Sequence, residues 1–137
     1  MQSKPAVVFP DVVLWAVGYL RTALTARPVG ETFADDVFVQ ADTPETIPAR
    51  LVTVRDDGGR RLADVRKVAS LGVNVYAATK ADCADLANLV AAILEAAPGS
   101  GAVVGHVGTS GPYPVPEESA KPHRYLSVDL IVRGVAL

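Results

Sequence analysis

The chain has 137 residues, half of them hydrophobic, and a formal net charge of −2 from 13 basic and 15 acidic side chains. That length fits one domain with a sizeable core, and the near-balanced charge leaves no electrostatic footprint for strong nucleic-acid binding. The single cysteine, Cys83, excludes an internal disulfide framework and a cysteine-rich zinc site.

No apolar run approaches the ~20 residues of a membrane helix. The start, Met1-Gln2-Ser3-Lys4-Pro5, does not read as a signal peptide, because Pro10-Asp11 breaks the run Ala6-Val7-Val8-Phe9. The first predicted helix covers 11–24, with Asp11 as N-cap after Pro10. Val13, Val17, Leu20 and Leu24 follow helical spacing, and Leu14 and Ala23 widen the stripe. Pro28 and Gly30 are read as its stop, and Gly18 as a close packing contact.

After the acidic pair Asp35-Asp36, a short strand is predicted at 37–40. The stretch 41–48 is a connector, interrupted by Pro44 and Pro48. A strand follows at 50–55. Asp56-Asp57-Gly58-Gly59 reads as a turn, since Asp-Gly and Gly-Gly supply positive φ. The basic stretch 60–68 reads as an arm or irregular edge strand.

A strand at 71–77 then runs into a helix at about 81–97. In many α/β enzymes that junction holds the nucleophile or the phosphate cradle. Here it is Ala78-Thr79-Lys80, with Thr79 placed to cap the helix and Asp82 at its third position. Such a junction starts a helix and offers no catalytic group, which favours a binding scaffold. Leu86, Leu89, Val90, Ile93, Leu94 and Ala97 form the helix's apolar face, and Pro98-Gly99 ends it.

A strand at 102–106 leads to a proline-rich loop, 108–122, with Tyr113 as an aromatic tip. The last strand, 123–133, sets Leu126, Val128, Leu130 and Val132 on one side and Tyr125, Ser127, Asp129, Ile131 and Arg133 on the other. Strict alternation implies one covered face and one wetter face. The expected fold is a single α/β (α+β) domain over 1–137: a two-layer sandwich with two helices on one face of a mixed, mainly antiparallel sheet.

Each candidate for chemistry has a plainer rival. Cys83, on the first turn of a helix, has the place of an activated nucleophile; a small buried apolar residue is the favoured reading. His106 and His123 flank the long loop and, if their strands pair, approach each other near Glu117 or Glu118 as a metal site; the spacing matches no metal motif. Asp35-Asp36 and Asp56-Asp57 make poor dyads, because neighbours on an extended chain point opposite ways. The glycines around Gly99-Ser100-Gly101 and Gly105-His106-Val107-Gly108 fit no phosphate loop. No catalytic residue, metal or cofactor is expected. Arg60, Arg61, Arg66 and Lys67 are the one local charge concentration, suited to an acidic patch on a neighbouring subunit or to a solvated turn; contact with nucleic-acid phosphates ranks lower, because no aromatic residue is interleaved with them.

Four stretches together resemble the tail terminator proteins of long-tailed (siphovirus-type) bacteriophages, especially those of actinobacterial hosts. They are Phe9-Pro10-Asp11 opening a helix; Val52-Thr53-Val54-Arg55 with Gly58-Gly59-Arg60-Arg61; Val73-Asn74-Val75-Tyr76-Ala77 leading into Ala84-Asp85-Leu86-Ala87 and Val90; and Pro122-His123-Arg124-Tyr125 with Leu126 to Gly134. Their order along nearly the whole chain carries the resemblance. It implies a non-enzymatic virion protein, made in the host cytoplasm, that forms a homohexameric ring. Such a ring caps the tail tube, stops its polymerisation and offers a surface for head–tail joining. Its implied partners are the tail tube protein and the head–tail connector, with genomic DNA passing through the lumen.

On that resemblance, Arg60, Arg61, Arg66 and Lys67 are expected to form one side of the ring interface or to line the lumen. Tyr113 and Pro114 are expected to contact tube or connector. The alternatives are another connector or tail completion protein on a related scaffold, and a ligand- or metal-binding module using His106, His123 and the polar sheet face.

Overall fold

The computed structural model describes residues 6–26, 32–116 and 121–137. In chain order they form β1 (Val7–Val8), α1 (Val12–Thr25), a 3-10 turn (Thr32–Ala34), β2 (Phe38–Gln40), β3 (Leu51–Ala63), β4 (Arg66–Tyr76), α2 (Lys80–Glu95), β5 (Val103–Pro114), β6 (His123–Arg133) and β7 (Val135–Ala136). Five strands make one sheet in the order β2-β3-β4-β6-β5. Among the described residues only the β2–β3 pair is parallel. β1 and β7 form a separate antiparallel ribbon. The architecture is the expected mixed, mainly antiparallel sandwich.

Both helices start where side-chain caps satisfy their free amides. Asp11 Oδ1 accepts from Leu14 N at 3.0 Å, and Thr79 Oγ1 accepts from Asp82 N at 3.1 Å. α1 buries Val12, Ala16, Val17, Leu20 and Leu24, and α2 buries Cys83, Leu86, Ala87, Val90, Ala91 and Leu94. These meet the inward side chains of the sheet, among them Val52, Val54, Leu71, Val73, Leu126, Val128 and Leu130, in one core. Among the described residues no helix is long and apolar enough to cross a membrane.

Several local expectations are corrected. Leu14 is 71 % exposed, because the apolar stripe of α1 turns through Val12 and Ala16 instead. Gly18 marks no packing contact, as a Cβ there meets nothing within 4 Å. Asp56 to Gly59 is not a turn: β3 continues through it, with a register shift between Asp56 and Gly59, and the hairpin closes at Asp64-Val65. The positive φ of Gly58 (97°) serves a bulge inside the strand. The stretch 108–114 is likewise strand, because β6 pairs along it as far as Pro114, and a register shift between Ser110 and Tyr113 absorbs Gly111 and Pro112. The helix stop at Pro28 and Gly30, and the loop acids Glu117 and Glu118, lie outside the described residues.

Candidate functional site: a basic hairpin arm and an open sheet face

Alternation sorts the sheet into two faces. Val52 and Val54 pair with Val75 and Val73 on the helix side, while Thr53 and Arg55 pair with Asn74 and Gly72 on the open side. Ser127, Tyr125 and Asp129 of β6 join the open side opposite Gly72, Asn74 and Ser70. That face is polar and bonded within itself. Ser70 Oγ donates to Asp129 Oδ1 at 2.7 Å. His123 Nε2 lies 2.7 Å from Asn74 Oδ1, and its ring stacks on Tyr76 at 4.2 Å.

Its middle is a three-residue network. Arg55 Nε and the Tyr125 hydroxyl donate to the two oxygens of Asp57, each at 2.7 Å. Arg55 also lies over the Tyr125 ring, 5.3 Å from its centre, and Tyr113 tilts onto the same ring at 5.7 Å. Gly72 makes room: a Cβ there would stand 2.8 Å from the Tyr125 hydroxyl and 2.9 Å from Arg55 Nε. The hydrogen bond from Arg55 to Asp57 raises the guanidinium's pKa. Burial first, and Asp57 second, push the Tyr125 hydroxyl up. The network holds its charges paired and leaves no activated group.

The basic residues sit on the far half of the β3–β4 hairpin. Arg61 and Lys67 face each other across the ladder, as do Arg66 of β4 and Arg133 of β6, while Arg60 pairs with Val68. Like charges opposite each other each cost about 0.2–1 kcal/mol. Phe9 offsets this for one pair: its ring centre is 4.9 Å from the Arg61 guanidinium and 5.1 Å from Lys67 Nζ. The arm's tip is tied down by Gly134 N donating to Val65 O at 2.7 Å. A Cβ on Gly134 would stand 2.6 Å from Val7 Cγ1 and 3.0 Å from the Phe9 ring, so glycine lets this strap close. Beside Phe9 lies an open apolar groove of about 570 Å³, lined by Val8, Phe9, Pro10, Ala102 and Val135 and edged by Arg133.

The structure thus brings Arg60, Arg61, Arg66 and Lys67 together on one arm and adds Arg133 and Phe9. Arg133 was visible at the end of the alternating strand, but Phe9 had no signal tying it to a segment 52 positions on. Tyr113 and Pro114 lie apart from the arm. They sit within β5 opposite Tyr125 and Arg124, both exposed, and Tyr113 is no loop tip. The Arg55–Asp57–Tyr125 network was not anticipated, because a turn at 56–59 would have pointed Asp57 away from the sheet.

The two histidines do not converge. His106 pairs with Leu130, seven residues from His123, about 23 Å along the strand at ~3.3 Å per residue. His106 Nε2 instead meets Thr109 Oγ1 at 2.8 Å. Among the described residues no three His, Cys, Asp or Glu side chains are grouped to hold a metal. Cys83 is buried, its thiol donates to Val75 O at 3.3 Å, and burial pushes its pKa up, which opposes a nucleophilic role. Asp56 and Asp57 are not a dyad: Asp56 Oδ1 accepts from Gly58 N at 2.8 Å while Asp57 turns to Arg55 and Tyr125. No protein-family model matches this chain, and no curated protein sequence matches it.

Proposed function

We propose that the protein is a tail terminator of a long-tailed phage, a subunit of a hexameric ring that caps the tail tube, ends its polymerisation and presents a surface for head–tail joining. The observation that carries this reading is the arm. Four cations project on a hairpin, with Arg133 of β6 beside Arg66; the hairpin is strapped at its tip by Gly134 and along its side by Phe9, so the charge is held in a fixed place. Fixed charge on a rigid ribbon suits recognition of an acidic protein surface or guidance of a polyanion through a lumen. The order of strand, turn and helix segments, similar to that family along nearly the whole chain, gives the arm its context.

The sheet geometry supports assembly as well. β2 pairs with only the first three residues of β3, so from Val54 onward one edge of β3 has no strand beside it among the described residues. β5 is the opposite edge. Two unlike edges on one body favour a heterologous contact, which closes into a ring when the rotation allows.

The test is mass and shape. Six copies of a 14.3 kDa chain should elute as an assembly of about 86 kDa and appear as rings in electron micrographs. The ring, or the subunit, should bind purified tail tube protein. Replacing Arg60 and Arg61 with glutamate should block ring formation or tail joining. A strict monomer at all concentrations, even with tube protein present, would refute the reading. Binding to a connector but not to tube protein would move the chain to another place at the head–tail junction.

A further inference from the structure

We infer that Phe38 of one copy docks into the apolar groove beside Phe9 of the next, and that this contact is the heterologous joint of the ring. The inference rests on the ring reading and names the two surfaces that meet. On one side, Phe38 is 57 % exposed at the start of β2. It follows Asp35 and Asp36, both exposed and in no ion pair among the described residues. The segment is not loose: Arg50 Nη1 donates to Asp35 O at 2.7 Å, and Phe38 N donates to Arg50 O at 3.1 Å. It is a fixed aromatic knob with two exposed carboxylates beside it, while Arg50 and Arg21 donate hydrogen bonds to the backbone of the same segment.

On the other side, the groove has the complementary character. Val8 and Val135 line it at 54 % and 66 % exposure, with Pro10, Ala102 and Leu137. Arg133 stands at its edge, and Arg61 and Lys67 are held against Phe9. An apolar hollow with a cationic rim fits an apolar side chain flanked by acids. A buried aromatic supplies most of the energy of such a contact, and the charges set orientation and register.

The two surfaces cannot meet within one copy. Phe38 is in register with Leu51, Tyr76 and, through β4, His123, at one end of the sheet. The groove lies by Arg133, ten residues further along β6, or about 33 Å at ~3.3 Å per residue. A knob at one end and its socket at the other define a head-to-tail contact, the kind that builds rings.

The experiment uses Phe38→Asp and Val135→Glu, each changing an exposed side chain, with circular dichroism as the check on folding. Each variant alone should stay folded and lose assembly, with self-association weakened about tenfold or more. Mixing the two should restore a single intact joint, knob from one and socket from the other, and give a dimer that grows no further. Wild-type rings from either variant, or monomers that stay apart when mixed, would overturn the docking and leave the ring reading standing. A wild-type chain that never assembles would overturn both.

Discussion

Alanine at Gly59 should be far more damaging than alanine at its neighbour Gly58, although both glycines sit in the same bulge of β3. At Gly58 an added Cβ meets nothing within 4 Å, so the cost is the left-handed backbone alone, about 1–2 kcal/mol. A stiffer unfolded chain returns about 0.4–1 kcal/mol, leaving a net loss near 1 kcal/mol. At Gly59 the Cβ lands on the carbonyl of Val68, 2.8 Å from its carbon and 3.2 Å from the Ala69 Cα. That obstacle is backbone, so no rotamer change relieves it and the two strands must part. Losing two or three ladder hydrogen bonds at about 1 kcal/mol each gives a loss of about 2–3 kcal/mol. At roughly 4 °C per kcal/mol for a domain of this size, the melting temperature should drop by about 4 °C for Gly58→Ala and about 8–12 °C for Gly59→Ala. Urea denaturation followed by circular dichroism measures the difference, and hydrogen exchange at the Val68 and Ala69 amides localises it. Equal losses for the two variants would refute the claim that contact with the Val68 backbone governs this position.

Other outcomes follow from burial and bonding. Leu86→Ala and Leu71→Ala, both at fully buried positions, should each cost about 2–5 kcal/mol in denaturant melts, whereas Leu14→Ser should stay within about 0.5 kcal/mol. Tyr125→Phe removes the donor to Asp57 and should cost about 0.5–1.5 kcal/mol, much of it shared with Asp57→Asn in a double-mutant cycle. Cys83 should react with a thiol reagent only after unfolding. Its thiol is pushed up in the fold, so above about pH 8.5 the unfolded chain releases a proton that the folded chain keeps, and stability falls as pH rises. In Cys83→Ala that part of the alkaline slope should vanish.

The elements whose periodicity and caps agreed were legible from the residues. β6 runs from His123 to Arg133 with its apolar set inward, and both helix starts sit at their capping residues. The failures share one cause. Glycine marks a departure from regular backbone, and Asp56-Asp57-Gly58-Gly59 reads as a turn when only local chemistry is considered. Whether such a segment reverses the chain or bulges within it depends on the partner strand, and β4 extends back to Arg66, far enough to pair beyond it. The same holds for Gly105, Gly108 and Gly111, which β6 draws into β5. The site was half legible for a related reason. The cations of the arm are close in sequence, whereas Phe9, Asp57 and Tyr125 reach their places through pairings that span the chain.

The position of β6 between β4 and β5 constrains how the protein is made. β3 and β4 can zip as a hairpin as soon as both have left the ribosome. β5 has no strand neighbour until β6 follows it. The β4–β6 ladder joins residues from 47 positions apart (Tyr76 and His123) to 67 apart (Arg66 and Arg133), so its closure comes late. Until then the inner edge of β4 is an open strand carrying Leu71, Val73 and Val75, the sort of template that pairs with other nascent chains. Synthesis of many copies at once would therefore meet its yield limit at this strand, through aggregation of nascent chains.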